Sequence, residues 1–307
     1  MARVVVEVVA DVMAQKDAMN LIEQAVRRLE SLGSSAPTEA PPETPPRRPD
    51  LLVVDSGKRA APPAVHVDGE PKRGVLIDVA ALQQAGTLVP LNARSPVSEE
   101  FRHIKRPIVK AATAPDGDGR QALVMVTSAL PGEGKTFFSL NLAMSLATEV
   151  DTSVLLVDAD VLRPSILRSL RISADRGLLD LLTDDSLHLD DVVLATNVPK
   201  LQILGAGSTR SLVSELLASA RMEALMTQLR SKRRIVVFDS PPLLMTNEAR
   251  VLAANAGQVI FVVDAQATPK KAVARALETV QACPTVHVVL NRTPPSNSMY
   301  GYGYGYY

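Results

Sequence analysis

The sequence predicts an α/β fold built on a parallel β-sheet with helices on both faces. Three observations predict it. Short, continuous apolar runs recur along the chain from residue 122 onward, at 122–127, 153–157, 201–204, 234–238, 259–263 and 286–290. Runs with helical spacing alternate with them, at 137–146, 212–229, 248–254 and 271–281. The strand-like runs carry few polar residues, which marks strands buried on both faces rather than on one.

Composition bounds the rest. The chain has 307 residues, enough for one large α/β domain with appendages, and 46% of them are hydrophobic. Lys plus Arg equal Asp plus Glu at 33 each, so bulk charge gives no reason to expect nucleic acid as a partner. The single cysteine, Cys283, excludes an internal disulfide framework and fits a reducing compartment. No apolar run approaches the roughly 20 residues needed to span a bilayer. The stretch Val4-Val5-Val6-Glu7-Val8-Val9 lacks the basic start and cleavage site of a signal peptide. A cytoplasmic protein is expected, held at the inner face of the membrane only through another chain.

The N-terminal segment, 1–33, contains one amphipathic helix over 19–32, with Leu21, Ile22, Ala25, Val26 and Leu29 on one stripe and Gly33 as its stop. The start at Met1 is odd for such a segment, and Met13 and Met19 are alternative starts. Residues 34–92 form a linker rich in Pro, Glu, Arg and Ala, with a short amphipathic helix expected over 75–85. The folded core, 93–292, opens with Ser95-Pro96 as N-cap and first turn and with Glu99 and Glu100 near the positive helix end. Phe101, Ile104 and Ile108 then share a face, and Pro107 is expected to kink or end this helix.

Between the first strand and the next helix lies Ala129-Leu-Pro-Gly-Glu-Gly-Lys-Thr136, a Walker A loop with Ala in place of its first Gly. Pro131, Gly132, Glu133, Gly134, Lys135 and Thr136 are the candidate nucleotide contacts. The glycines let backbone amides face phosphate, Lys135 reaches the β- and γ-phosphates, and Thr136 ligates Mg²⁺. Two strands end in carboxylates: Val154-Leu-Leu-Val-Asp-Ala-Asp160 and Ile235-Val-Val-Phe-Asp239. Carboxyl ends of strands line the ligand crevice of an open parallel sheet, so Asp158, Asp160 and Asp239 belong beside the loop. A strand-terminal turn is the alternative for each acid alone. Asn291, just past the last strand, is a candidate for the adenine, with a turn role equally open. His66, His103, His188 and His287 lack metal-ligand spacing.

All five tyrosines lie in the last eight residues: Tyr300, Tyr302, Tyr304, Tyr306 and Tyr307, the first four separated by glycine. Glycine keeps a backbone mobile, so such a tail, 293–307, presents its hydroxyls rather than burying its rings. Beside a phosphate site this reads as a kinase carrying its own substrate.

These residues resemble the bacterial tyrosine kinases (BY-kinases), whose Walker A, acidic second strand and Walker B precede a C-terminal tyrosine cluster. The resemblance covers about Ser95 to Tyr307. It implies MgATP as cofactor, Lys135, Asp158 and Asp160 as catalytic residues, and Thr136, Asp160 and Asp239 as metal ligands. Asp158 would orient or deprotonate the phenol. Leu162-Arg163-Pro164 departs from the more basic stretch at this place in many relatives. Glu99, Arg102 and Lys105 map onto a subunit contact of the family, with Lys in place of the third residue's Arg and so without its bidentate fork. Glu100-Phe-Arg-His-Ile-Lys-Arg-Pro107 and Ser240-Pro-Pro-Leu-Leu narrow the resemblance to the tyrosine autokinases of exosortase/PEP-CTERM exopolysaccharide loci. That implies a ring-like homo-oligomer that phosphorylates its tails between subunits. It also implies a separate membrane activator similar to a polysaccharide co-polymerase, with other exopolysaccharide enzymes as further substrates. Two other readings stand beside it: a Min- or Par-like partition ATPase, and a nucleotide-gated scaffold with an adhesive tail. The first lacks support from the loop, which has no early lysine.

Overall fold

The computed structural model describes residues 3–5 as backbone, and residues 71, 73–90, 95–115, 117–208, 213–230 and 233–293. The expected helix over 19–32, most of the Pro-rich linker and the tyrosine tail lie outside the described residues.

In chain order the elements are β1 (Arg3–Val5), β2 (Arg73–Val75), α1 (Val79–Gln84), α2 (Pro96–Ala112), β3 (Leu123–Ser128), α3 (Lys135–Leu146), β4 (Ser153–Asp158), α4 (Ile166–Ser169), α5 (Leu178–Thr183), α6 (Leu189–Val192), β5 (Leu194–Thr196), β6 (Leu201–Leu204), α7 (Val213–Leu217), α8 (Ala220–Gln228), β7 (Arg234–Asp239), α9 (Asn247–Asn255), β8 (Gln258–Asp264), α10 (Lys270–Glu278) and β9 (Thr285–Thr293). The strands form one sheet in the order β1-β9-β8-β3-β7-β4-β6-β5-β2. The six central strands, β9 to β6, run parallel. β5 is antiparallel to β6, β2 is parallel to β5, and β1 is antiparallel to β9.

Successive strand residues point to opposite faces, and each face has its own core. Leu123, Met125, Leu155, Val157, Phe238 and Phe261 pack under α5 to α10. Val124, Val126, Leu156 and Val237 pack under α1 to α4. On the second face Phe101 of α2 meets Phe138 of α3 with ring centroids 5.2 Å apart.

Four expectations need correction. The folded core starts at Arg73 rather than near Ser95, because Ile77, Leu82 and Leu88 are buried in the second face's cluster. Two asparagines staple this stretch to the core. Asn197 accepts from the Ile77 amide at 2.8 Å and donates to its carbonyl at 3.1 Å. Asn141 accepts from the Val89 amide at 2.7 Å and donates to the Thr87 carbonyl at 3.1 Å. The expected helix over 75–85 forms over the shorter span Val79–Gln84, capped by Asp78, with Val75 the last residue of β2. Pro107 neither ends nor limits α2, which runs on to Ala112. The carbonyl that Pro107 cannot pair, on His103, belongs to an exposed residue that water can serve. The run over 212–229 breaks into α7 and α8 because Ser219 caps the second helix, accepting from the Met222 amide at 3.2 Å.

Candidate active site

β3 ends at Ser128 and α3 starts at Lys135, so the intervening loop wraps the N-terminus of a helix whose first amides are free for an anion. Gly132 and Gly134 hold φ of 85° and 96°. At Gly134 a Cβ atom would come within 2.2 Å of Asn291 Nδ2, so neither the backbone nor the space there admits a side chain.

β4 and β7 are neighbours, and Asp158 and Asp239 are Cα partners at their carboxyl ends. The sheet register alone therefore brings the two acidic strand ends together. The Thr136 hydroxyl donates to Asp239 Oδ2 at 2.7 Å and lies 2.7 Å from Ser165 Oγ. Ser139 Oγ reaches Asp239 Oδ1 at 2.9 Å. Asp158 Oδ2 accepts from the backbone amides of Ser165 and Ile166, both at 2.9 Å. Its Oδ1 is buried without a hydrogen-bond partner.

Burial, then the charge of Asp239, pushes the Asp158 carboxyl up to about 7. Burial pushes Asp239 up to about 6, against the hydrogen bonds from Thr136 and Ser139. Asp160 is also raised by burial, with Lys135 and Arg163 opposing. Lys135, 8% exposed, is the cation in this acidic pocket. Three carboxylates that resist ionisation as a group, one with an orphaned buried oxygen, fit a site completed by a cation. Among the described residues no three His, Cys, Asp or Glu side chains alone cage a metal. Mg²⁺ at phosphate sites uses one or two protein ligands plus phosphate and water, so Thr136 and Asp239 suffice for that role.

The structure thus brings together the loop, Lys135, Thr136, Asp158, Asp160 and Asp239. Asn291 is bonded to the loop itself: its Nδ2 donates to the Glu133 carbonyl at 2.8 Å. Lys105 is turned into its own subunit. Its Nζ donates to the Ser145 carbonyl at 3.1 Å and Thr148 Oγ1 at 2.8 Å, and pairs with Glu149 at 2.7 Å. It acts there as the cation at the C-terminus of α3. Arg102 pairs with Glu99 one turn away on the same helix. Ser139 and Ser165 were missed in the sequence. Ser139 could have been found, since it follows Lys135 by one helical turn and so shares its face. Ser165 had no local signal.

The chain matches the AAA domain family over residues 123–291. It is 31% identical over 222 residues to the tyrosine-protein kinase YwqD of Bacillus subtilis, a match covering 71% of this chain and 91% of that protein. It is 35% identical over 194 residues to EpsB of Ralstonia nicotianae, covering 62% of this chain but only 26% of that much longer relative. The fold superposes on the kinase domain of the Escherichia coli tyrosine kinase ETK with a TM-score of 0.60 at 25% identity, covering 71% of this chain and 86% of that one. With the phosphate loop and paired acidic strand ends in place, these matches show that the chain belongs to the bacterial tyrosine-kinase family.

Proposed function

We propose that the chain is an ATP-dependent protein-tyrosine autokinase that phosphorylates Tyr300, Tyr302, Tyr304, Tyr306 and Tyr307, between subunits, in the control of exopolysaccharide assembly. The observation that carries this is Asp158: a buried carboxylate with a free oxygen, pushed up to about 7, at the end of β4 beside Asp239 of β7. A group poised near neutrality suits accepting the proton of a phenol whose own pKa is about 10.

Phosphoryl transfer is mostly positioning and neutralisation of charge. Lys135 and the loop amides would hold the β- and γ-phosphates. Mg²⁺, held by Thr136 and Asp239 with Asp160 nearby, supplies charge neutralisation on the phosphate oxygens when bound. Asp158 orients the incoming hydroxyl and takes its proton as the oxygen–phosphorus bond forms and ADP leaves. Asn291 would offer adenine the second N–H of its Nδ2, the first being held by the Glu133 carbonyl.

From Arg292 to Tyr306 an extended chain spans at most about 50 Å, enough to reach the site of a neighbour. Each phosphate adds about −1.5 to −2 charge, so a modified tail is repelled by its fellows and by the acidic site. A cycle of ring assembly, transfer and release follows. Recruitment to the membrane by a separate co-polymerase-like activator is part of the same proposal, as are exopolysaccharide enzymes as further substrates.

The test is intact-mass analysis after incubation with MgATP, beside Lys135→Met and a Tyr-to-Phe tail variant. Phosphates that require Lys135 and map to the tail support the proposal. Nucleotide binding with no phosphate, even when the cytosolic segment of a candidate activator is added, would reject it in favour of a nucleotide switch.

A further inference from the structure

The phosphate loop is tied to the end of β9 through Glu133. Glu133, 3% exposed, has one carboxylate oxygen accepting from the Leu130 amide and the other from the Thr268 hydroxyl. Thr268 lies in the turn between β8 and α10, and its oxygen accepts from the Asp264 amide at 3.1 Å. Asp264 is the last residue of β8 and is itself buried. Its Oδ1 accepts from the Gln266 amide at 3.0 Å, and its Oδ2 receives the Arg292 guanidinium at 2.6 Å. Arg292 is the second-last residue of β9 and sits at φ 57°, a conformation that a non-glycine residue rarely holds without tertiary support. A second route runs beside the first. The Arg292 amide donates to Asn291 Oδ1 at 2.9 Å, and Asn291 Nδ2 donates to the Glu133 carbonyl. Asn291 and Asp264 are register partners on β9 and β8, so both routes start from one point of the sheet.

We propose that Thr268, Asp264 and Arg292 are positioning residues for nucleotide binding, acting through Glu133 on the phosphate loop, and that the root of the tyrosine tail is thereby part of the loop's support. The proposal rests on the nucleotide-site reading above. A buried carboxylate needs its donors. Without Thr268 one oxygen of Glu133 loses its partner in a dry setting, and the side chain leaves for water or draws the loop after it. The loop amides then lose their alignment on phosphate. That interaction exists in the ground state as well as during transfer, so its loss raises KM more than it lowers kcat.

The experiment measures ADP affinity by calorimetry, and ATP KM and kcat for tail phosphorylation, on the full chain. It compares wild type with Thr268→Val, Thr268→Ser, Arg292→Gln and Arg292→Lys. Thr268→Val is expected to weaken ADP binding and raise KM by roughly 10-fold, with kcat within about 3-fold. Thr268→Ser, which keeps the donor, should restore both values. Arg292→Gln should show a smaller rise in the same direction, partly recovered by Arg292→Lys. Wild-type values of Kd and KM in folded Thr268→Val would overturn the proposal, as would a fall in kcat at constant KM. If Thr268→Val does not fold, the serine and Arg292 variants decide alone, because the Arg292 side chain is half-exposed and its loss leaves no cavity. Failure of wild type to bind ADP would overturn the nucleotide reading itself, a separate outcome.

Discussion

Asp158 and Asp239 stand side by side on adjacent parallel strands, as Cα partners in the β4–β7 register, and both are essentially buried. Each raises the cost of ionising the site, and Asp239 is the second cause of the upward push on Asp158 after burial itself.

Asp158→Asn should therefore separate stability from activity. The amide oxygen keeps the bonds from Ser165 and Ile166, while the charge opposing Asp239 is gone. In metal-free protein at pH 7.5 the melting temperature is expected to rise by about 2–4 °C. The sign with pH follows from raised folded pKa values, about 7 for Asp158 and about 6 for Asp239 against 3.8 unfolded. The folded state holds these protons more tightly, so wild type gains stability as pH falls from 7 towards 4, and its deficit against the asparagine variant closes there. Tail phosphorylation should fall by at least about 100-fold, the contribution expected of a general base. Melts at several pH values and a radiolabel transfer assay check both halves.

Gly134→Ala should abolish nucleotide binding. Two separate obstacles stand there, a φ of 96° and the amide of Asn291 where the Cβ would lie. Asn291→Ala clears the space but not the dihedral. The double variant is accordingly expected to recover folding yet still bind ADP at least about 10-fold more weakly than Asn291→Ala alone, read by calorimetry.

Lys105→Met removes a cation that bonds to the end of α3 and to Glu149 within one subunit. The pair is partly exposed, so the loss should be modest, about 1 kcal/mol or roughly 2–4 °C in Tm. The drop should be the same at protein concentrations low enough to give only monomers, as judged by light scattering. A drop seen only in the assembled form would return Lys105 to a contact between subunits.

Cys283 lies between the Ala256 and Thr285 carbonyls, and burial pushes its thiol up to about 11 from 9.0. Below pH 9 both folded and unfolded thiols are protonated. As pH rises from 9 to 11 the unfolded thiol ionises first, so the stability linked to this group is lost across that window. At pH 8 a disulfide reagent should react at least about 100-fold more slowly with native than with urea-unfolded protein, followed by absorbance of the released thiol.

The phosphate loop and the six parallel strands were legible because their signals are local: glycine spacing, apolar runs and acidic strand ends. Lys135, Thr136, Asp158, Asp160 and Asp239 follow from where such strands terminate. What escaped was set across the chain. β5 is a three-residue run with two half-buried positions, too short to carry a period. Arg73–Val75 read as linker because its neighbours are Pro-rich, and what fixes it lies far along the chain, in the pairing with β5 and the Asn197 bonds to Ile77. Ser165 becomes a site residue only after Asp158 draws in the turn ahead of α4. Lys105 matched a family contact by spacing, but Glu149 and the end of α3 are not visible from α2's own sequence.

The sheet's two outer strands, β1 and β2, are each three residues long, and β1 meets β9 through a shifted register. Among the described residues, edges so short and irregular make poor templates for a second chain to continue the sheet. On the proposed reading, copies that exchange tails would meet through helices and loops, contacts that leave every sheet intact and that charge on the tail would break without unravelling any subunit.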